Sequence, residues 1–184
     1  MIRSVVVAAA LLVAATGCGA AKHNGVAIGH AIQPDGPQEN GILGANNIAV
    51  GRVERFAFPL LKNTSNAPLS VTRVHLDSIP RGIKVVGYYV YLTSVEDGYA
   101  LDGLDGDNSR SDMTKRKSYS FSNLHIAPHH ESDYYAMVAV TMTRDPSGIM
   151  SGCRIYYRQK NHEYTQLLNC KFFLHTNSSH PFGS

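Results

Sequence analysis

HIAPHHE, residues 125–131, is the densest set of groups with chemistry to offer. Its three imidazoles (His125, His129 and His130) and the Glu131 carboxylate are donor types that Zn or Cu accepts. The spacing works against them. Pro128 puts a turn in the middle of the motif, so His129 and His130 leave a loop in uncorrelated directions. The competing expectation is a plain turn in which histidine only fills turn positions. DGLDGDNSRSD, residues 102–112, is the next such stretch. Asp105, Asp107 and Ser109 match the first three ligand positions of an EF-hand loop, but Arg110 stands where its Gly is needed and Arg116 where its Glu is needed. That excludes an EF-hand and leaves a looser Ca2+ loop or an ordinary polar one. No G-x-S-x-G elbow, P-loop, H-E-x-x-H or G-x-G-x-x-G occurs. A hydrolase would have to assemble Ser, His and a carboxylate in space alone, and no cofactor is implied.

Cysteine is the other reactive type. There are three: Cys18, Cys153 and Cys170. Residues 153–170, CRIYYRQKNHEYTQLLNC, read as a β-hairpin. A two-residue turn at Asn161-His162 pairs Lys160 with Glu163 and sorts the side chains by alternation. Cys153, Ile155, Tyr157 and Gln159 then share a mostly apolar face with Cys170, Leu168, Gln166 and Tyr164. Arg154, Tyr156, Arg158 and Lys160 share the polar face with Asn169, Leu167, Thr165 and Glu163. In this register Cys153 lies directly opposite Cys170 at a non-hydrogen-bonded site, where a disulfide is accepted. Closing a loop of this size stabilises by roughly 3 kcal/mol in the chain-entropy model. Two buried free thiols or a metal pair are the alternatives.

Cys18 is left over, and an odd cysteine asks for an explanation. Residues 5–15 are all Val, Ala or Leu, and Arg3 is the only charge before them. The run is too short for a membrane-spanning helix of ~20 residues and reads as a secretory signal. Ala15-Thr16-Gly17-Cys18 follows it and resembles the lipobox of bacterial lipoproteins, small residues before an obligatory Cys. The resemblance implies diacylglyceryl transfer to the Cys18 thiol and cleavage before it. It also implies a palmitate-type anchor at the extracytoplasmic face of the cell membrane. An ordinary signal peptide cut near Ala20-Ala21, with Cys18 discarded, is the competing reading.

These groups need elements to hold them. Residues 1–17 are expected as signal peptide and 18–46, rich in Gly, Ala and polar residues, as a flexible tether. Residues 47–176 are expected as one domain and 177–184 as a disordered tail. From residue 48 the chain reads as about seven short strands separated by turns: 48–58, 69–76, 83–92, 118–126, 134–142 and the two hairpin strands. Leu69 and Val71 are out of phase with Val74 and Leu76, which calls for a bulge near Thr72 or Arg73. IKVVGYYVYL, residues 83–92, is apolar on both faces, as in a central strand. Tyr134, Ala136, Val138, Val140 and Met142 line one side of their strand.

The pattern predicts an all-β chain folded as an antiparallel immunoglobulin-like β-sandwich. KNTSNAPLSVTRVHL, PRGIKVVGY and CRIYYRQKNHEYTQ resemble bacterial exported sandwich domains, whose motifs mark scaffold positions and carry no activity. With 17 Lys+Arg against 14 Asp+Glu, the charge bias is too weak to argue for nucleic acid. Ten tyrosines in a chain without Trp include Tyr88, Tyr89, Tyr91, Tyr134, Tyr135, Tyr156 and Tyr157, which are either an aromatic partner surface or ordinary strand residues. The preferred expectation is a non-catalytic interaction or structural lipoprotein with an unknown protein or envelope partner. A metal-handling protein using His125, His129, His130 and Glu131 is the first alternative, and a hydrolase the second.

Overall fold

A computed structural model describes residues 22–23, 25–35, 42–93, 99–106 and 112–177. The signal and lipobox residues, including Cys18, and most of the expected tail lie outside them. The described chain is all-β. Its strands are β1 (Lys22–His23), β2 (Val26–Ile28), β3 (Ile32–Asp35), β4 (Ile42–Ala45), β5 (Val53–Ala57), β6 (Leu60–Asn63) and β7 (Leu69–Ser78). Then come β8 (Ile83–Leu92), β9 (Asp102–Leu104), β10 (His125–Ile126), β11 (Tyr134–Met142), β12 (Met150–Gln159) and β13 (His162–Leu174). They form a seven-stranded sheet ordered β1-β2-β13-β12-β7-β10 with β4 also on β13, a four-stranded sheet ordered β8-β11-β5-β9, and the pair β3-β6.

The main core joins these sheets. Phe56, Phe58, Val138 and Val140 meet Val71, Leu76, Ile155, Leu168 and Phe172 in one buried cluster, with the Phe56 and Phe172 rings stacked 5.4 Å apart. β7 contributes Leu69, Val71, Val74 and Leu76 to it despite their mismatched phase. Tyr156 pairs with Arg73 and Tyr157 with Val71, so Thr72 is the extra residue of a bulge that resets the alternation. β11 is buried on both sides. Ala136, Val138, Val140 and Met142 face the main core, while Tyr135 and Met137 face a second cluster with Ala57, Tyr91 and Met113.

Five expectations need correction. In place of about seven strands, the described residues form thirteen. The strand at 118–126 is a bridge at Tyr119, a 3-10 turn at Phe121–Asn123 and the short β10. β8 is an edge strand of its sheet rather than a central one; its second apolar face exists because Tyr89 and Tyr91 pack in the second cluster. The pairing is not wholly antiparallel, since β2 and β4 add to β13 in parallel.

The fifth correction concerns the tether. Its described residues are part of the domain. Ala31 and Ile32 are buried in the main core, and the Gln166 side chain bonds both the N–H and the C=O of Ile32 like a neighbouring strand. The glycines here serve close approach rather than flexibility. A Cβ on Gly29 would sit 1.9 Å from the Tyr157 hydroxyl, and one on Gly44 would sit 1.9 Å from the Phe173 ring. The Tyr157 hydroxyl also accepts from Ala31 N at 3.2 Å. Gly29→Ala should therefore lift this segment and cost about 2 kcal/mol, the scale of overpacking a filled site. Thermal unfolding checks it; an unchanged midpoint would mean the segment is not packed there.

Candidate functional site

The hairpin forms, with its turn at Lys160-Asn161 instead of Asn161-His162. Gln159 pairs with His162, Arg158 with Glu163 and Cys153 with Leu168. Relative to the expected register the strands have slid by two residues, which preserves the face of every side chain. The ion pair is accordingly Arg158–Glu163, at 2.9 Å, and not Lys160–Glu163. Beyond Leu168, Asn169 and Cys170 oppose the single residue Gly152, whose φ is 78°. This bulge brings Cys170 diagonally to Cys153, and the two form a disulfide with Cα atoms 5.7 Å apart.

The slide brings Glu163 to the end of a row across the polar face of the large sheet. His125 pairs with Ser70, Ser70 with Arg158 and Arg158 with Glu163. Directly opposed residues share a face, so four side chains from four strands line up. Ser70 Oγ and His125 Nδ1 lie 2.7 Å apart. Beside them opens a cleft of about 530 Å³ lined by Pro68, Leu69, Ser70, His125, Ile126, Ala127, Arg158 and Lys160. Two cations, a hydroxyl and an imidazole therefore share a space flanked by the exposed Pro68 and Ala127. No carboxylate is among the lining residues, and Glu163 reaches the cleft only through Arg158.

The four groups of the metal alternative are held apart. Among the described residues no group of three or more His, Cys, Asp or Glu side chains could hold a metal ion. His125 Nδ1 meets Ser70, and His129 Nε2 meets Asn66 Oδ1 at 2.8 Å. His130 and Glu131 are exposed, and Glu131 bridges to Lys62 through the backbone. His129 takes φ 61°, so it fills a left-handed turn position. In the aspartate-rich stretch, Asp107 and Ser109 lie outside the described residues. Asp112 caps a 3-10 turn at Met113–Lys115, accepting from Thr114 N at 3.0 Å and Thr114 Oγ1 at 2.6 Å. Asp105 holds Arg55 through two bonds of 2.6 and 2.7 Å.

The tyrosines do not share one surface. Tyr91, Tyr135 and Tyr157 are buried, Tyr88 bonds Leu76 N, and Tyr156 lies 3.8 Å under the Arg73 guanidinium. Sequence reasoning grouped Arg158 and Lys160 on one face by alternation. It missed Ser70 and the cleft, because nothing local ties a turn-flanking serine to residues 55 and more positions away.

No family model matches the chain, and no curated protein matches it. Among solved structures, one described as the structure of Vibrio cholerae VesB protease is similar over 72% of this chain. The two are 10% identical with a TM-score of 0.35, and the match spans 30% of that protein's length. A likeness this distant bears on neither fold nor activity here.

Proposed function

We propose that the protein is a lipid-anchored, extracytoplasmic binding module: an acylated Cys18 followed by an immunoglobulin-like sandwich enlarged by N-terminal strands, without catalytic activity. The observation that carries the reading is the Cys153–Cys170 disulfide. It suits an oxidising compartment. It also uses the only other two cysteines and leaves Cys18, after its short apolar run, as the odd thiol. The cleft beside Ser70 supports binding over catalysis. Among the described residues its Ser–His pair has no carboxylate lining the same space to orient the imidazole, as a general base of this kind needs.

Intact mass of the chain purified from membranes tests the reading, first as isolated and then reduced. The expected product starts at Cys18, carries acyl mass and gains two hydrogens on reduction. A chain that begins after Cys18, bears no lipid and is free in the medium would overturn the anchor.

A further inference from the structure

We infer that the cleft between β10, β7 and the β12–β13 turn binds a phosphate group carried on an apolar body. The first reason is the backbone of Lys160. It takes φ 54°, a left-handed conformation that a lysine adopts at a cost and that Gly or Asn adopts readily. A turn selected for stability alone would put Asn or Gly there. The sequence puts a lysine there, on the lip of the cleft, and among the described residues its ammonium has no ion-pair partner. A strained residue at the edge of a cleft is a place to look for function.

The second reason is the donor set. Arg158 gives one arm of its guanidinium, Nη2, to Glu163 at 2.9 Å. That bond fixes the side chain and, among the described residues, leaves Nη1 and Nε without a bonded partner. A tetrahedral oxyanion needs donors from several directions, and the cleft supplies them: Arg158 from β12, Lys160 from the turn and Ser70 from β7. With the proton on His125 Nδ1, the imidazole donates to Ser70 Oγ and frees the hydroxyl proton for the anion. Exposed Pro68 and Ala127 flank these groups, while the Leu69 and Ile126 side chains turn into the core, so the apolar body has Pro68 and Ala127 to rest on.

The test is calorimetric titration of the full chain with phenyl phosphate, benzoate and soluble dihexanoyl phosphatidic acid. Phenyl phosphate should bind, and benzoate should bind at least about tenfold more weakly. Lys160→Asn suits the left-handed turn and keeps the fold, so its thermal midpoint should not fall. It should nevertheless weaken phenyl phosphate about tenfold, the loss of one charge-assisted contact. Ser70→Ala should weaken it by a smaller factor. Tighter binding of the phosphatidic acid than of phenyl phosphate assigns a lipid headgroup as the source, and weaker binding assigns a free organophosphate. Benzoate binding as well as phenyl phosphate would overturn the choice of phosphate. Unchanged affinity in Lys160→Asn, or no heat with any probe, would overturn the site.

Discussion

Asp105→Ala is expected to destabilise the protein by about 3 kcal/mol, the lower end of the range for breaking a buried ion pair from one side. Arg55 is 7% exposed and sits on the outer side of the four-stranded sheet. Asp105 holds it through two bonds, Tyr91 accepts from its Nη1 at 2.9 Å, and the Tyr89 ring lies 4.1 Å from its Cζ. The guanidinium reaches these tyrosines across β11 because Ala139 lies between it and Gly87 in the ladder. Without Asp105 the charge stays buried with only a phenol and a ring for company. The Asp105 carboxylate is itself a fifth exposed, which is why the lower end applies. Arg55→Met with Asp105→Ala should recover part of the loss, since removing both charges removes the desolvation penalty as well. Denaturant unfolding of the two single variants and the double checks this. Asp105→Ala with wild-type stability would sink it.

Glu54→Gln should stabilise the protein above neutral pH and leave it unchanged in acid. Glu54 is 3% exposed, on the same side of β5 as the core residue Phe56. Burial, with the nearby Asp102 carboxylate next, raises its carboxyl from 4.5 to about 7. Bonds from the Gly103 and Arg55 amides offset this only in part. The folded state thus holds a proton that the unfolded chain releases near pH 4.5. At pH 4 both states are protonated and the residue costs nothing. Stability is lost as pH rises from about 4.5 to about 7, and the full penalty stands above that. The shift corresponds to on the order of 3 kcal/mol at pH 8. Glutamine keeps an oxygen for the two amides and never ionises. Thermal unfolding of wild type and variant between pH 4 and pH 8 should show midpoints that meet in acid and diverge in base. Parallel curves would mean Glu54 ionises freely in the fold.

The sequence alone determined what depends on alternation. The strands β7, β11, β12 and β13, the bulge at Thr72, the faces of the hairpin and the Cys153–Cys170 partnership follow from period-two patterning and the turn residues between them. These are local properties, carried by side chains a few positions apart. The hairpin register was legible only to its parity. Alternation distinguishes the two faces but not a slide of two residues, and Lys160 took the left-handed turn position that the sequence offered to Asn161.

Tertiary structure decided the rest. The strands at Val26–Ile28 and Ile42–Ala45 have no period because they join β13 through backbone bonds, with Gly29 and Gly44 giving space to Tyr157 and Phe173. Composition alone reads such a stretch as a tether. The histidines of HIAPHHE are neighbours in sequence but not in direction, since the turn at Pro128 and His129 sends them to different partners. The cleft depends on Ser70, His125 and Arg158 meeting across three strands, and their pairing is set by the core packing beneath the sheet rather than by any of the three residues.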